Sequence, residues 1–179
     1  MKLNKIMMAA VLAFGVASVA QADQGHGTVS FTGSIIDAPC SIEPAAMDQT
    51  VNLGQVSNAT LDKGGKSKAQ DFEIKLANCI PGTVKTVTTT FSGIAGAVDG
   101  SLGITGSAKG ASIVMTDGNT NVIKLGSATT ATPLLAGNNT LLFTAYLQGD
   151  PKAPGEGGAD AVIVPGDFKS VANFTLAYQ

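Results

Sequence analysis

The strongest constraint on the fold of this chain is the two-residue period of its apolar side chains. Phe72, Ile74 and Leu76 alternate with charged neighbours. The same spacing recurs from Leu141 to Leu147. Successive side chains of a β-strand point to opposite faces, so this pattern is typical of a half-buried antiparallel strand. No segment keeps a helical period beyond a turn or two. The sequence therefore predicts an all-β sandwich of six to eight short strands.

Turn-forming residues separate the predicted strands. A β-branched run covers residues 83–91. Residues 111–115 are joined to residues 121–125 across an Asp-Gly pair, which indicates a hairpin. Loops are predicted at 62–68, 93–109 and 148–161, and the last two are expected to form exposed surfaces. We expect one domain, because no linker or second domain is visible.

The first 22 residues have the features of a secretion signal. Lys2 and Lys5 precede an apolar stretch, and Ala20-Gln21-Ala22 forms a small-x-small cleavage site. The apolar stretch is too short for a membrane anchor, and no later segment approaches the roughly 18 apolar residues that a span requires. We expect cleavage after Ala22 and a soluble, exported mature chain.

Cys40 and Cys79 are the two cysteines of the chain, and both belong to the predicted exported part. In an oxidising compartment we expect them to pair. The bridge would close a loop of about 40 residues and contribute about 4 kcal/mol by the chain-entropy estimate. The alternative is a metal site, which needs more Cys or His ligands, and His26 is the single histidine.

Charge and residue chemistry argue against several functions. The predicted mature chain carries nine lysines, no arginine and 13 acids, so its net charge is about −4. Nucleic-acid binding requires clustered cations, which the scattered lysines do not supply. Gly65-Lys66-Ser67 resembles the end of a phosphate-binding loop, but Thr60 replaces the required glycine. With one histidine and dispersed acids, we predict no enzyme, no metal and no cofactor.

The two ends of the mature chain carry the clearest functional pattern. In the N-terminal segment one face of a strand would hold Val29, Phe31, Gly33 and Ile35. Near the C-terminus the residues of one parity are Phe168, Ala172, Phe174, Leu176 and Tyr178, with Ser170 as a polar exception. A chain that stops on an amphipathic strand leaves an edge of that strand uncovered. The N-terminal segment could cover this edge in the same molecule or in another one, or it could simply be the first strand of the sandwich.

A set of motifs in order along the chain resembles the chaperone–usher fimbrial subunits, especially P-pilus-type and type 1 major pilins. The motifs are Gly-Thr-Val-Ser-Phe-Thr-Gly at 27–33, Asp-Ala-Pro-Cys-Ser-Ile at 37–42, Asn-Leu-Gly at 52–54, Asn-Cys at 78–79, Gly-Asp-Phe at 166–168 and the ending Asn-Phe-Thr-Leu-Ala-Tyr-Gln at 173–179. The most specific are Phe-x-Gly in the first motif, Gly166 near the end and the penultimate Tyr178. The resemblance spans nearly the whole mature chain.

This resemblance implies an incomplete immunoglobulin-like β-sandwich that is completed by a donor strand from another subunit, an established case of β-strand addition. Residues 1–22 would be the cleaved signal, 23–37 the N-terminal donor extension and 38–179 the pilin domain. The implied donor residues are Val29, Phe31, Gly33 and Ile35. The implied acceptor-groove and chaperone-contact residues are Gly166, Phe168, Phe174, Leu176, Tyr178 and Gln179.

The resemblance also implies partners and a location. The partners would be other copies of the chain in a fibre, a periplasmic chaperone that lends a strand and holds the carboxylate of Gln179, and an outer-membrane usher. The chain would pass through the periplasm to the cell surface and support adhesion as part of a fimbria. Two alternatives stay open: a minor, adaptor or adhesin subunit of the same fimbria, and a monomeric secreted sandwich that binds a ligand. Family tip adhesins usually have two domains, so the single domain with an extension favours a shaft subunit.

Overall fold

The computed structural model describes residues 27–152 and 161–179. The predicted signal at 1–22, the first part of the predicted extension with His26, and residues 153–160 of the predicted loop lie outside the described residues. The chain divides into two units, 1–36 and 37–179. In the first unit, the described residues 27–36 are exposed throughout and have neither helix nor strand structure.

The second unit is built almost entirely from antiparallel strands. In chain order its elements are β1 Ser41–Ile42, α1 Pro44–Met47, α2 Asn58–Leu61, a 3₁₀ turn at Asp62–Gly64, β2 Gln70–Cys79, β3 Thr86–Gly93, β4 Leu102–Gly103, β5 Thr105–Gly106, β6 Ala111–Asp117, β7 Val122–Ile123, β8 Thr132–Pro133, β9 Gly137–Gly149, β10 Phe168–Lys169 and β11 Ala172–Tyr178. Strands β2, β3, β6, β9 and β11 are long, whereas the other strands have two residues each. Two-residue strands are too short to display a period, which is why the sequence predicted fewer strands.

The strands form two main sheets. The larger sheet has the order β1-β2-β9-β6-β4, and β7 also pairs with β6. The smaller sheet has the order β11-β3-β8, and β10 pairs separately with β5. All of these pairings are antiparallel. The sheets pack through aromatic side chains, since the Phe91 ring of β3 meets the Phe143 ring of β9 edge-on with 5.2 Å between their centroids.

The predicted alternation is confirmed in the two central strands. Ile74 and Leu76 of β2 are fully buried, and Leu141, Phe143, Ala145 and Leu147 of β9 are all in the core. The predicted hairpin is also confirmed, because β6 pairs with β7 and the Asp117 carboxylate accepts hydrogen bonds from the amides of Asn119 and Asn121. The all-β sandwich follows directly from this pattern.

The predicted exposed loop at 93–109 is wrong in part. It contains β4 and β5, and Ser101, Leu102 and Gly103 are buried. Leu102 belongs to the hydrophobic core, and the backbone amide of Gly103 donates to the Ile94 carbonyl at 2.7 Å. The abundant glycines that made this segment resemble an open loop instead allow close backbone packing at several points.

Candidate acceptor groove

Strand β11 is an edge strand with one face turned to the core. Among the residues that the structure describes, β3 is the only strand paired with it, in a register that runs from Ala172 opposite Gly93 to Tyr178 opposite Val87. Along β11 half-buried and exposed residues alternate without exception. The backbone groups on the other edge of β11 therefore have no strand partner within the described chain, which leaves a template for strand addition.

A groove lies beside this free edge. It consists of two neighbouring cavities of about 340 Å³ and 550 Å³, which share Thr50, Val51 and Leu53 in their linings. One wall is the irregular segment at 47–58, and the other is the segment at 163–174 that leads into β11. The chain therefore presents a continuous groove along the start of β11 and the residues before it.

The floor of the groove is apolar. Phe72, Ile74, Met115 and Ala145 of the larger sheet line the smaller cavity, together with Phe91 of β3 and Phe174 of β11. The Phe91 and Phe174 ring centroids are 6.4 Å apart. A floor made from both sheets means that an apolar side chain entering here would contact the core itself, with the large gain that core contacts bring.

Gly166 and Asp167 form a tight joint at one end of the groove. The Asp167 carbonyl accepts hydrogen bonds from the amides of Ser107 and Ala108 at 3.0 Å and 3.1 Å, and the Asp167 amide donates to the Ser107 hydroxyl at 3.0 Å. A Cβ on Gly166 would collide with the Ser107 hydroxyl and would lie 2.7 Å from the Ala108 nitrogen. Glycine is needed here because the two backbones approach too closely for a side chain.

The polar exception in the C-terminal pattern has a clear structural reason. Ser170 is half-buried on the same parity as Phe174, and its hydroxyl donates to the Gly103 carbonyl at 2.6 Å. This hydrogen bond ties the chain just before β11 to β4 and satisfies the serine. Ser170 thereby fixes the position of one wall of the groove. The two-residue period of the sequence does not reveal this role.

The last two residues are tied to β3. One carboxylate oxygen of Gln179 accepts hydrogen bonds from the amides of Lys85 and Thr86 at 2.6 Å and 2.8 Å. The Tyr178 hydroxyl is buried without a hydrogen-bond partner among the described residues, and burial raises the pKa of this phenol. The C-terminus therefore completes the β3–β11 pairing.

The predicted disulfide between Cys40 and Cys79 is present, and its Cα atoms are 4.1 Å apart. It joins the chain just after the predicted extension to the last residue of β2. The covalent loop that it closes contains the whole 47–58 wall of the groove. Hydrogen bonds also hold this wall in place. For example, the side-chain amide of Gln49 donates to the Glu73 carbonyl at 3.0 Å.

The structure brings together some of the predicted site residues. Gly166 and Phe168 line the larger cavity and Phe174 lines the smaller one. Leu176 and Tyr178 continue β11 beyond these cavities, and Gln179 follows the end of the strand. In the other unit, the predicted donor residues Val29, Phe31 and Ile35 are exposed.

Sequence reasoning missed the opposite wall of the groove. Val51 and Leu53 line both cavities, yet their segment has no strand period and gave no signal beyond the Asn-Leu-Gly motif. Ser107, which holds Asp167, was also missed because it lies in a predicted loop. Within the described chain, no helix is long and apolar enough to cross a membrane, and no cluster of three or more His, Cys, Asp or Glu side chains could hold a metal ion.

The chain is similar to known fimbrial proteins. Residues 29–179 match the protein family described as Fimbrial protein. The chain is 61% identical to the Fimbria A protein of Serratia marcescens and 52% identical to the Major MR/P fimbria protein of Proteus mirabilis, with full coverage of both chains in each case.

Solved structures give the same result. A chain from a chaperone–usher pilus matches with a TM-score of 0.74 at 36% identity, covering 87% of this chain and 97% of that one. The P pilus rod subunit PapA matches with a TM-score of 0.66 at 34% identity, covering 79% of this chain and all of that one. These neighbours have the immunoglobulin-like pilin fold, so the predicted fold class, an incomplete immunoglobulin-like β-sandwich, is confirmed.

Proposed function

The chain belongs to the fimbrial protein family, and from this premise we propose that it polymerises by donor-strand exchange, with residues 23–37 of one subunit filling the groove beside β11 of another. It is a structural subunit of a fimbria. The proposal divides the chain into a cleaved signal at 1–22, a donor extension at 23–37 and a pilin domain at 38–179.

One observation carries this proposal: the same chain holds an open strand edge above an apolar groove and an exposed segment with an alternating apolar face. Strand β11 has a single paired neighbour within the described residues. Val29, Phe31 and Ile35 are large apolar side chains that are 77%, 92% and 104% exposed. Exposing three such side chains at two- and four-residue intervals is unfavourable unless a partner covers them.

Physical estimates support tight association. Burying Val29, Phe31 and Ile35 is worth about 1.5–3 kcal/mol for each side chain. The added strand also supplies backbone partners for the free edge of β11, while ordering the extension opposes both gains. Gly33 has the same parity as these three residues, and it suits a position where the donor backbone lies close to the acceptor floor.

The proposed acceptor residues divide into two groups. Gly166, Phe168 and Phe174 line the cavities and would contact the donor side chains directly. Leu176 and Tyr178 would extend the strand on which the donor is added. Gln179 would present the C-terminal carboxylate to a periplasmic chaperone, which fills the groove until an outer-membrane usher brings in the next subunit.

A major shaft subunit is the role that we infer within the fimbria, because the curated relatives include a protein named as a major fimbria protein. The chain would reach the cell surface through the periplasm and act without catalysis, as a building unit of an adhesive fibre. In the finished fibre the groove would hold the extension of another copy.

The test places the same charge at two neighbouring positions of opposite strand parity. Phe31→Asp places a charge on the apolar face of the extension and is expected to abolish polymer growth, because the carboxylate would enter the groove without a partner. Thr32→Asp places the same charge on the opposite face and is expected to leave growth nearly unchanged. Fibres sheared from the cells are run in detergent with and without boiling, and the subunit ladder is compared.

The outcomes separate the alternatives. A ladder in the wild type and in Thr32→Asp that collapses to one band on boiling supports donor-strand exchange. Chaperone capture of both variants in a pull-down shows that Phe31→Asp still folds. Equal ladders for the two variants would contradict the parity assignment, and a single band for the wild type in both lanes would indicate a monomeric secreted sandwich.

A further inference from the structure

The outer face of the N-terminal extension changes character at its last residue. A single exposed apolar side chain is ordinary at a protein surface, so the argument depends on where this one stands in the strand pattern. Ile36 is 56% exposed and follows directly on Ile35, the last residue of the apolar face. The even-numbered residues opposite that face are Thr28, Ser30, Thr32, Ser34 and Ile36. The groove takes up the odd-numbered face, so it accounts for Ile35 and leaves Ile36 without a role.

The direction of the donor strand decides which part of an acceptor Ile36 can meet. All strand pairings of the described chain are antiparallel. A donor that continues this pattern runs beside β11 from Tyr178 towards Ala172 and then along the segment before it. The groove continues past Ala172 to residues 163–168, which line its larger cavity. The donor strand therefore leaves the acceptor at residues 163–168.

This end of the acceptor has a free backbone edge. Residues 105–109 occupy one edge, through the pairing of β5 with β10 and of Lys109 with Val164. The amides of Lys109 and Val164 each donate to the carbonyl of the other, at 3.1 Å and 3.0 Å. Neighbouring residues of a strand direct their backbone groups to opposite edges. The backbone groups of Ile163 accordingly face away from Lys109, and they have no hydrogen-bond partner among the described residues.

The side chains at this end alternate as they do in a strand. Ile163 packs against the hydrophobic core and lines the larger cavity. Val162 and Val164, on either side of it, are 76% and 41% exposed. A donor strand added here would place its inward side chains beside Ile163 and its outward side chains beside Val164.

We propose that Ile36 of each donor subunit packs against Val164 of its acceptor, on the outer face of the joint, and thereby fixes the register of the donor strand. This inference rests on donor-strand exchange as the mode of assembly. Ile35 is the last apolar donor residue and fills the last cavity, beside Ile163. Ile36 is one residue further and points to the opposite face, where Val164 is its cross-strand neighbour.

The pair selects one register among those that the strand pattern permits. A strand that slides by two residues keeps the same face inward, so alternation alone does not fix the offset. A slide towards Tyr178 would set Ile36 beside Gly166, which has no side chain to contact. A slide the other way would carry Ile35 past the larger cavity. Only the register with Ile36 beside Val164 gives both isoleucines an apolar neighbour.

The test uses the mature full-length chain as acceptor and synthetic peptides of residues 23–37, amidated at the C-terminus. Each subunit is refolded with an excess of one peptide, and release of the peptide in denaturant is timed. Ile36→Ser continues the hydroxyl pattern of the outer face and is expected to speed release about fivefold, because this contact is only partly buried. Ile35→Ser is the matched control on the inward face and should speed release about fiftyfold.

A double-mutant cycle identifies the acceptor residue. Val164→Ser in the acceptor is expected to speed release of the wild-type peptide about fivefold and to leave release of the Ile36→Ser peptide unchanged. Val171→Ser is the matched acceptor control, because Val171 is 73% exposed but lies beside the middle of the groove. Any effect of Val171→Ser should multiply with that of Ile36→Ser. In polymers of the full chain, Ile36→Ser should speed subunit dissociation by the same factor as in the peptide.

The outcomes distinguish this contact from donor-strand exchange itself. Equal release of the wild-type and Ile36→Ser peptides, with faster release of Ile35→Ser, would overturn the contact and leave the exchange intact. Independent effects of Ile36→Ser and Val164→Ser would overturn the pairing of these two residues. An effect of Ile36→Ser in polymers but not in the peptide would place Ile36 against its own subunit and would overturn the proposal as well. Release of Ile35→Ser at the wild-type rate would instead refute filling of the groove by the extension.

Discussion

Strands β9 and β11 have the same alternating sequence pattern but very different surroundings. The inward residues of β9 are nearly inaccessible, because β9 is paired on both sides and covered by the smaller sheet. The inward residues of β11 are only half-buried, and one edge of β11 has no strand partner within the described residues. The same pattern therefore occurs in β9, whose inward side chains are fully covered, and in β11, whose inward side chains are covered only in part.

The period of a strand therefore reports which face is turned to the core, and it does not report whether that face is fully covered. Phe143 of β9 packs edge-on against Phe91, whereas Phe174 of β11 meets the same ring at a longer centroid distance and borders a cavity. In a subunit that exchanges strands, the missing cover of β11 is supplied by another chain. The stability of β11 should accordingly depend on assembly, and that of β9 should not.

The largest expected effect comes from truncating the two phenylalanines. Phe143→Ala should lower the free energy of unfolding of the free subunit by about 3–5 kcal/mol, since it opens a cavity in the closed core. Phe174→Ala should cost about half as much in the free subunit, because its side chain is half-exposed. Urea denaturation of each mature variant gives both values.

Filling the groove should change the costs of the two substitutions differently. With the 23–37 peptide bound, the cost of Phe174→Ala should rise towards that of Phe143→Ala, while the cost of Phe143→Ala stays constant. A Phe174→Ala cost that does not change on adding the peptide would mean that the donor does not cover this residue.

Removing the disulfide should lower the free energy of unfolding by an amount similar to that of Phe143→Ala. Unlike Phe143→Ala, it should also weaken the binding of the donor peptide. Replacing Cys40 and Cys79 by alanine should destabilise the subunit by about 4 kcal/mol, because the unfolded chain regains the freedom of a loop of about 40 residues. The loop contains the 47–58 wall facing β11 across the groove, so peptide binding should weaken as well. Calorimetric titration with the 23–37 peptide, run at a temperature where the variant remains folded, measures this.

Reduced wild-type protein is the control for this prediction. It should reproduce both the loss of stability and the loss of peptide affinity shown by the double alanine variant. Unchanged peptide affinity in either protein would show that the wall is held without the covalent loop.

The sequence predicted those parts of the molecule whose structure follows from a local sequence pattern. The strands around Ile74 and Phe143, the hairpin at Asp117 and the disulfide follow from period, turn residues and cysteine count. The 47–58 wall did not follow, since irregular backbone has no period and its position depends on tertiary contacts. The burial of Leu102 was missed for a related reason. A glycine-rich sequence is equally compatible with an open loop and with close backbone packing.

A moderate effect is expected at the joint beside β11. Gly166→Ala should destabilise the subunit by about 1–3 kcal/mol, because the new Cβ meets Ser107 and the Ala108 backbone nitrogen. Gly118→Ala is a suitable control, since a Cβ there has its nearest neighbour at 3.5 Å. Thermal unfolding of both variants measures the difference.

A second variant locates the cause of the clash. Adding Ser107→Gly to Gly166→Ala removes the hydroxyl but leaves the Ala108 nitrogen 2.7 Å from the new methyl group. Stability should therefore recover little. Full recovery would assign the clash to the serine side chain alone and would remove the backbone approach as the reason for glycine.

The smallest effect concerns the end of β11. The Tyr178 hydroxyl is buried without a partner among the described residues, and burial raises its pKa in the folded subunit. The folded state therefore holds the phenolic proton more tightly than the unfolded state does, so the associated stability is present at neutral pH and is lost as the pH rises past the ordinary tyrosine value of about 10.

Tyr178→Phe should thus change stability at neutral pH by less than about 1 kcal/mol and should reduce the alkaline loss. Urea unfolding between neutral and alkaline pH compares the variant with the wild type, and Tyr146 of β9 is retained in both proteins. Equal alkaline losses would mean that Tyr178 ionises as readily in the folded subunit as in the unfolded chain. In that case the end of β11 would be more open than its burial indicates, and the contrast with β9 would extend along the entire strand.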